Sequence, residues 1–163
     1  MASGEAEQHV IERARSLMSS GLFGDALVRR SGRIEEPRPV LSPDGRLHSW
    51  FVAVTVGERL AGFLELMPDL TPMRYSSLQR KAESLEGCPE AASWLNPEIV
   101  RASTASHARP GERAGDPYLT YDRSPSRLVW AIRMENPRGG IRVLYAAGSD
   151  VYEPSAGVEE SFG

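Results

Sequence analysis

The sequence predicts an α+β protein in which helices pack on antiparallel meander sheets. Three observations carry this. The stretch Arg46-Leu47-His48-Ser49-Trp50-Phe51-Val52-Ala53-Val54 is apolar with strand character and runs through a tight turn into a second apolar stretch. Arg127-Leu128-Val129-Trp130-Ala131-Ile132-Arg133-Met134 repeats the phrase, again followed by a turn and an apolar return. Helical spacing of apolar residues precedes each copy. A period of two with short turns marks antiparallel strands, and a period near 3.6 marks helices. The echo predicts a tandem duplication of a helix-plus-meander unit.

The elements follow in chain order. Val10, Ile11, Ala14, Leu17 and Met18 form one stripe between Glu5 and Ser20, with Glu7, Glu12, Arg13 and Arg15 on the other faces. That pattern predicts a helix, with Gly21 as its stop. Gly24-Asp25 leads into Ala26–Arg30, read as a short strand. Ser42-Pro43-Asp44-Gly45 is a turn, since proline presets φ, aspartate bonds locally and glycine tolerates positive φ. It separates Arg38–Leu41 from a long strand, Leu47–Val56. Gly57-Glu58 puts glycine first, as a type II′ hairpin requires. The return strand is Arg59–Met67. Trp50, Val52, Val54 and Val56 share one face and are expected to meet Leu60, Leu64 and Leu66.

Pro68 and Pro72 bracket a loop, Ser76–Leu85 has mixed helical character, and Pro89–Leu95 suits a helical turn or two. Asn96-Pro97-Glu98 is a helix start with a side-chain acceptor, proline at the first position and an acid at the positive end. That helix is expected to end near His107, before an exposed loop at Ala108–Pro117. Tyr118–Tyr121 reads as a strand and Asp122–Ser126 as a turn. Along Arg127–Glu135, Trp130, Ile132 and Met134 are expected inward, and Ala131, Arg133 and Glu135 outward. After a loop at Asn136–Gly140, Ile141, Val143 and Tyr145 are expected on the inward face of the return strand. Aligning the halves sets Gly24-Asp25 against Gly115-Asp116. The expected organisation is a first half at 1–75, a second at 76–153 sharing one fold with it, and a flexible acidic tail at 154–163.

Composition narrows the function classes. With 163 residues, 40% hydrophobic and 25% charged, the chain has ordinary globular proportions. A net charge of −3 gives no concentrated basic stripe for nucleic acid. The longest apolar run, Trp50–Val56, is far short of the ~20 residues that cross a bilayer, so no membrane partner is expected. The first residues, Met1–Glu7, are small and acidic, the wrong order for a secretory signal. Cys88 is the lone cysteine, which points to a cytoplasmic location.

Motifs for chemistry are sparse. Cys88 with His107 invites a thiolate–imidazole pair, but Gly87-Cys88-Pro89 has no nucleophile signature. His9, His48 and His107 stand far apart, with no second ligand at helical spacing, so no metal site is expected. Asp44 precedes His48 by four residues yet belongs to a turn, where capping is its role. Gly139-Gly140 lies between strands and serves a hairpin, leaving no phosphate cradle or other cofactor site. Glu58, Glu65 and Asp69 read as solvent-facing carboxylates, without the desolvation that a general acid needs. Lys81 is the lone lysine among 19 basic residues. Arg29, Arg30, Arg33 and Arg38 cluster, as do Arg101, Arg109 and Arg113, but Glu35, Glu36, Glu112 and Asp116 among them suggest pairing.

The phrases Val129-Trp130-Ala131-Ile132-Arg133-Met134 and Ile141-Arg142-Val143-Leu144-Tyr145-Ala146-Ala147-Gly148 resemble the aromatic strand and glycine-ended return strand of PepSY-like modules. The order of helix then meander is similar to cystatin-like families as well. Leu66-Met67-Pro68-Asp69 departs from the PepSY ending, and the cystatin Gln-x-Val-x-Gly loop is absent. The resemblance implies a non-catalytic binding or inhibitory module whose partner is another protein. Residues singled out for such contact are Phe51 and Phe63 on one sheet face, Gly57 and Glu58 at a hairpin tip, and Arg109 and Arg113 near the second loop. Two alternatives stay open: a small-molecule binder or enzyme with a helix–sheet pocket into which His48, Tyr121 or Glu65 would point, and an immunity-type partner of one cognate protein.

Overall fold

The computed structural model describes residues 2–154, and side chains from Gly4 onward. These residues form four α-helices and ten strands. The chain divides into two compact units, Met1–Leu95 and Asn96–Gly163. No helix among the described residues is long and apolar enough to cross a membrane. The expected tail lies, apart from Pro154, outside the described residues.

In the first unit, α1 (Ala2–Ser19) lays Val10, Ala14, Leu17 and Met18 on Trp50, Val52, Val54 and Val56. Val10, Leu17 and Met18 each contribute about 1.5–3 kcal/mol when fully buried, and the Ala14 methyl about 0.8 kcal/mol. Gly21 ends the helix at φ +78, and its N–H reaches the Met18 carbonyl. Residues Ala26–Ser31 form α2 rather than the expected strand. The reason is local: the Asp25 Oδ1 accepts the Val28 N–H at 3.0 Å, capping the helix, and Arg29 and Arg30 suit its negative end. Asp25 Oδ2 accepts the Glu83 N–H at 2.5 Å and the Gln79 Nε2–H at 3.0 Å. With the Glu83 bond foremost, these donors hold the Asp25 carboxyl below its ordinary range. Asp25→Ala is expected to cost about 1–2 kcal/mol in urea unfolding, and Asn at this position to recover most of it.

Five strands follow: β1 (Arg33–Ile34), β2 (Arg38–Leu41), β3 (Leu47–Val56), β4 (Arg59–Leu66) and β5 (Pro72–Ser77). β1 and β2 pair in turn with β3, β3 with β4, and β4 with β5, all antiparallel. Gly57 sits at φ +59 while Glu58 is not left-handed, as the type II′ turn demands. Leu64 and Leu66 join the core under α1 as expected, but Leu60 does not. The register passes from Val54↔Gly62 to Thr55↔Leu60, so Ala61 is a bulge residue and takes that place. The expected loop ends at Pro72, where β5 begins; β5 takes Ser76-Ser77 from the expected helical stretch, and residues 78–85 form no helix. Proline is tolerated at the first position of β5, and Tyr75 anchors the strand by stacking on Phe23 at 4.7 Å. The first unit ends with α3 (Ala91–Leu95).

The second unit opens with α4 (Pro97–Ser103), capped by Asn96 Oδ1 on the Glu98 N–H at 2.9 Å, and a single 3-10 turn, Ala105–His107. Its strands are β6 (Arg113–Ala114), β7 (Tyr118–Tyr121), β8 (Leu128–Glu135), β9 (Ile141–Ala147) and β10 (Asp150–Tyr152). Their pairing order repeats that of β1–β5. Pro39↔Trp50↔Leu66 in one unit answers Leu119↔Trp130↔Ala146 in the other, a shift of 80 positions at each residue. Arg33↔Thr55 and Arg113↔Glu135 keep the same shift. In the first unit His48 is an extra residue in a bulge, because Val40 faces Ser49 and Leu41 faces Leu47. This accounts for Arg46-Leu47 standing one residue further from its tryptophan than Arg127-Leu128. Gly24-Asp25 and Gly115-Asp116 are not equivalent, since the first pair opens α2 and the second follows β6.

The second hairpin corrects an expectation. Glu135 faces Ile141, so the loop between them holds five residues and partners share parity. Leu144 and Ala146 therefore stand with the buried Trp130, Ile132 and Met134. Ile141, Val143 and Tyr145 lie on the opposite face, with Val129, Ala131 and Arg133. Ala131, expected outward, is buried in an apolar cluster there with Val129 and Tyr145.

Candidate functional site

The first unit carries a row of paired residues across β2 to β5: Arg38, Phe51, Glu65 and Arg74. Phe51 is only 4% exposed, and its ring packs at a tilt against that of the half-buried Phe63, with centroids 4.9 Å apart. Glu65, expected in solvent, is fully buried because it falls on this covered face. Arg74 donates to Glu65 Oε1 from Nε at 2.6 Å and from Nη2 at 2.5 Å, and its guanidinium lies 5.9 Å from the Phe63 centroid. Glu65 Oε2 is buried without a hydrogen-bond partner. Gly57 and Glu58 are exposed at the hairpin tip, where the Glu58 carbonyl accepts the Ala91 N–H at 2.9 Å.

Neither thiol nor crevice offers acid–base chemistry. Cys88 is buried, its Sγ 3.6 Å from the Leu78 carbonyl, and burial pushes the thiol up, away from the thiolate. A crevice of about 300 Å³ is lined by Asp25, Tyr75, Ser77, Gln79, Arg80 and Lys81. Asp25 is committed to its three N–H donors. The Tyr75 hydroxyl is buried against Gly62, where a Cβ would approach it to 2.4 Å, and burial with the Asp25 charge pushes it up to about 12. Among the described residues no three metal-ligating side chains converge. His48 Nδ1 lies 3.0 Å from the Ser49 hydroxyl.

The second unit presents a different surface at the equivalent place. The row there reads Tyr118, Ala131, Tyr145 and Tyr152. Tyr152 donates its hydroxyl to Asp122 Oδ2 at 2.7 Å, and the Tyr145 and Tyr152 rings meet edge-on at 5.9 Å. The Arg133 guanidinium lies 5.6 Å from the Tyr118 centroid. Burial pushes the Tyr145 hydroxyl up, helped by Asp122 and Tyr118; burial and the Asp122 bond push Tyr152 up to about 12. These hydroxyls are therefore neutral donors throughout the physiological range. Tyr118, Val143, Ala147 and Tyr152 are half-buried, and Ile141 is 61% exposed.

Of the clustered arginines, Arg33, Arg101 and Arg109 meet acids. Arg33 meets Glu35 at 3.1 Å, Arg101 meets Glu98 and Asp116, and Arg109 reaches Glu153 at 3.4 Å. Arg113 is exposed on β6 opposite Glu135. Tyr145 is buried as expected, but in the cluster on the face opposite Trp130, and this sets the tyrosine row apart. The signal for it was the odd length of the Asn136–Gly140 loop, which fixes the parity of the partners.

The chain matches no family model, no curated protein and no solved structure.

Proposed function

We propose that this chain is a small non-enzymatic protein-interaction module that meets its partner through the tyrosine-lined face of β7–β10. The observation that carries the reading is the row Tyr118, Tyr145 and Tyr152, half-open at Tyr118 and Tyr152 and buried at Tyr145, bordered by Arg133, Val143 and the exposed Ile141. Tyrosine and arginine supply large amphipathic contact area and dominate the energetics of protein interfaces. The T-shaped Tyr145–Tyr152 pair and the Tyr152–Asp122 bond hold two rings in place before any partner arrives, which lowers the ordering cost of association. The partner is another folded protein with an apolar patch that covers Ile141 and the half-buried rings. An inhibitory role of the PepSY kind, and descent of the two units from one duplicated helix-plus-meander, belong to the same reading. The constant 80-residue shift in strand pairing supports the latter.

The test uses two exposed side chains on the face, Ile141 and Arg133. Ile141→Glu combined with Arg133→Glu is expected to keep stability within about 1 kcal/mol of wild type, as surface changes do. Crosslinking in cells of the native host should recover a partner with the wild type and lose it with this variant. Equal recovery by both would sink the reading.

A further inference from the structure

We propose that the outer edge of β5 accepts an extended acidic peptide as an added strand, with one of its carboxylate side chains seated in the crevice rimmed by Arg80 and Lys81. The argument starts from the hydrogen-bond alternation. Among the described residues β5 pairs with β4 alone. The Leu78 N–H bonds to the Ala61 carbonyl at 2.8 Å, which marks that position as hydrogen-bonded. Alternation along an antiparallel ladder then turns the main-chain groups of Arg74 and Ser76 toward β4, and those of Tyr75 and Ser77 away from it, up to the register shift at Met73. Tyr75 and Ser77 also line the crevice. The outward-facing main chain and the cavity thus share one stretch of strand.

This is the arrangement that strand addition uses: main-chain bonds give affinity, and a pocket for alternate side chains gives selectivity. The cavity, about 300 Å³, is at the small end of ligand pockets and suits one side chain. Its charge selects the side chain. Arg80 and Lys81 stand at the rim, and the one carboxylate in the lining, Asp25, is already bound by Glu83 N–H, Gln79 Nε2 and Val28 N–H. Arg80 is held in position because it lies across Gly87, whose φ of +84 and missing Cβ leave room for it; a Cβ there would meet Arg80 Nε at 2.6 Å. A glutamate or aspartate from the added strand gains charge-assisted hydrogen bonds, whereas a lysine meets two like charges. The edge defences sit at the start of the strand, at Pro72 and the register shift at Met73, and leave Tyr75 and Ser77 open, while Arg74 is folded onto Glu65 and Phe63.

The experiment measures fluorescence anisotropy of labelled nine-residue peptides against the full chain at low salt. One probe alternates valine and glutamate, a second replaces glutamate by lysine, and a third is the glutamate peptide N-methylated at alternate main-chain nitrogens. Saturable binding is expected for the first, with the lysine and N-methylated probes each weaker by about tenfold or more, the equivalent of one lost charge-assisted bond. The double variant Arg80→Ala, Lys81→Ala is expected to weaken the glutamate probe by about tenfold as well. Ser77→Pro, which removes an outward N–H and leaves the β4 ladder and the charges intact, is expected to weaken all probes alike. The Ile141→Glu, Arg133→Glu variant of the other unit should bind the glutamate probe normally, so the two surfaces fail or succeed separately. No saturable binding to the wild type, or undiminished binding by the Arg80/Lys81 variant, would overturn the proposal.

Discussion

Replacing Arg74 by alanine is expected to destabilise the protein by about 3–5 kcal/mol, because it strands a buried carboxylate. The Glu65 side chain is only 1% exposed, and the hydrogen bonds found for it come from Arg74, both to Oε1. Without the guanidinium, Glu65 must stay charged in a dry site, take up a proton, or open the sheet; each carries a cost. Arg74→Lys should fall between, since an ammonium keeps the charge but cannot make the paired contacts from Nε and Nη2. The contrast that isolates the cause is the double change Glu65→Leu, Arg74→Leu. Removing both charges together is expected to be neutral or stabilising by about 1–4 kcal/mol, as for other buried ion pairs. Urea unfolding followed by tryptophan fluorescence reads all three, with Trp50 in the same unit. An Arg74→Ala loss below about 1 kcal/mol would show that Glu65 is not held as the geometry describes.

The same strand pair shows how far the sequence could be read. In the first hairpin a two-residue turn with glycine leading fixes which residues face each other, so Trp50, Val52, Val54, Leu64 and Leu66 were placed correctly. The bulge at Ala61 was invisible because Leu-Ala-Gly fits a strand in either register. The second hairpin was read one residue out, because face assignment there depends on the parity of a five-residue loop and both candidate faces of β9 contain apolar side chains. Residues Ala26–Arg30 read as a strand by composition, yet six residues with one buried side chain owe their helix to the Asp25 cap. β5 was hidden by its composition: Pro72 and the Ser76-Ser77 pair discourage a strand reading, and pairing with β4 overrides that weak preference. Glu65 was unreadable for a related reason. Its neighbours assign it to a face, but a strand sequence does not say whether that face is covered.

Acidification is expected to weaken the second unit through Glu112, over a window set by its carboxyl. Arg142 on β9 donates from Nε to Glu112 Oε2 and from Nη2 to Oε1, each at 2.8 Å. The Arg109 N–H adds a third bond to Oε1 at 2.7 Å. Arg142 also reaches the His107 carbonyl and Glu153 Oε1, each at 2.6 Å, tying the loop before β6 and the residue after β10 to the β8–β9 hairpin. These bonds, those from Arg142 foremost, bring the Glu112 carboxyl from 4.5 to about 2. A carboxyl lowered on folding contributes stability that is complete above its unfolded value and is lost as pH falls through its folded value. The Glu112 contribution is therefore whole at neutral pH, begins to fall near pH 4.5 and is gone below about 2. Asp25, Asp44 and Asp69 are lowered too and act in the same direction, so the Glu112 share is read as a difference. Urea midpoints of the wild type and of Glu112→Gln should lie furthest apart at neutral pH and converge across that window. Arg142→Ala should flatten the same part of the wild-type profile, since it removes the donors that set the shift. A gap between wild type and Glu112→Gln that persists undiminished at pH 2 would mean that shape, and not charge, is what Glu112 supplies to the clamp.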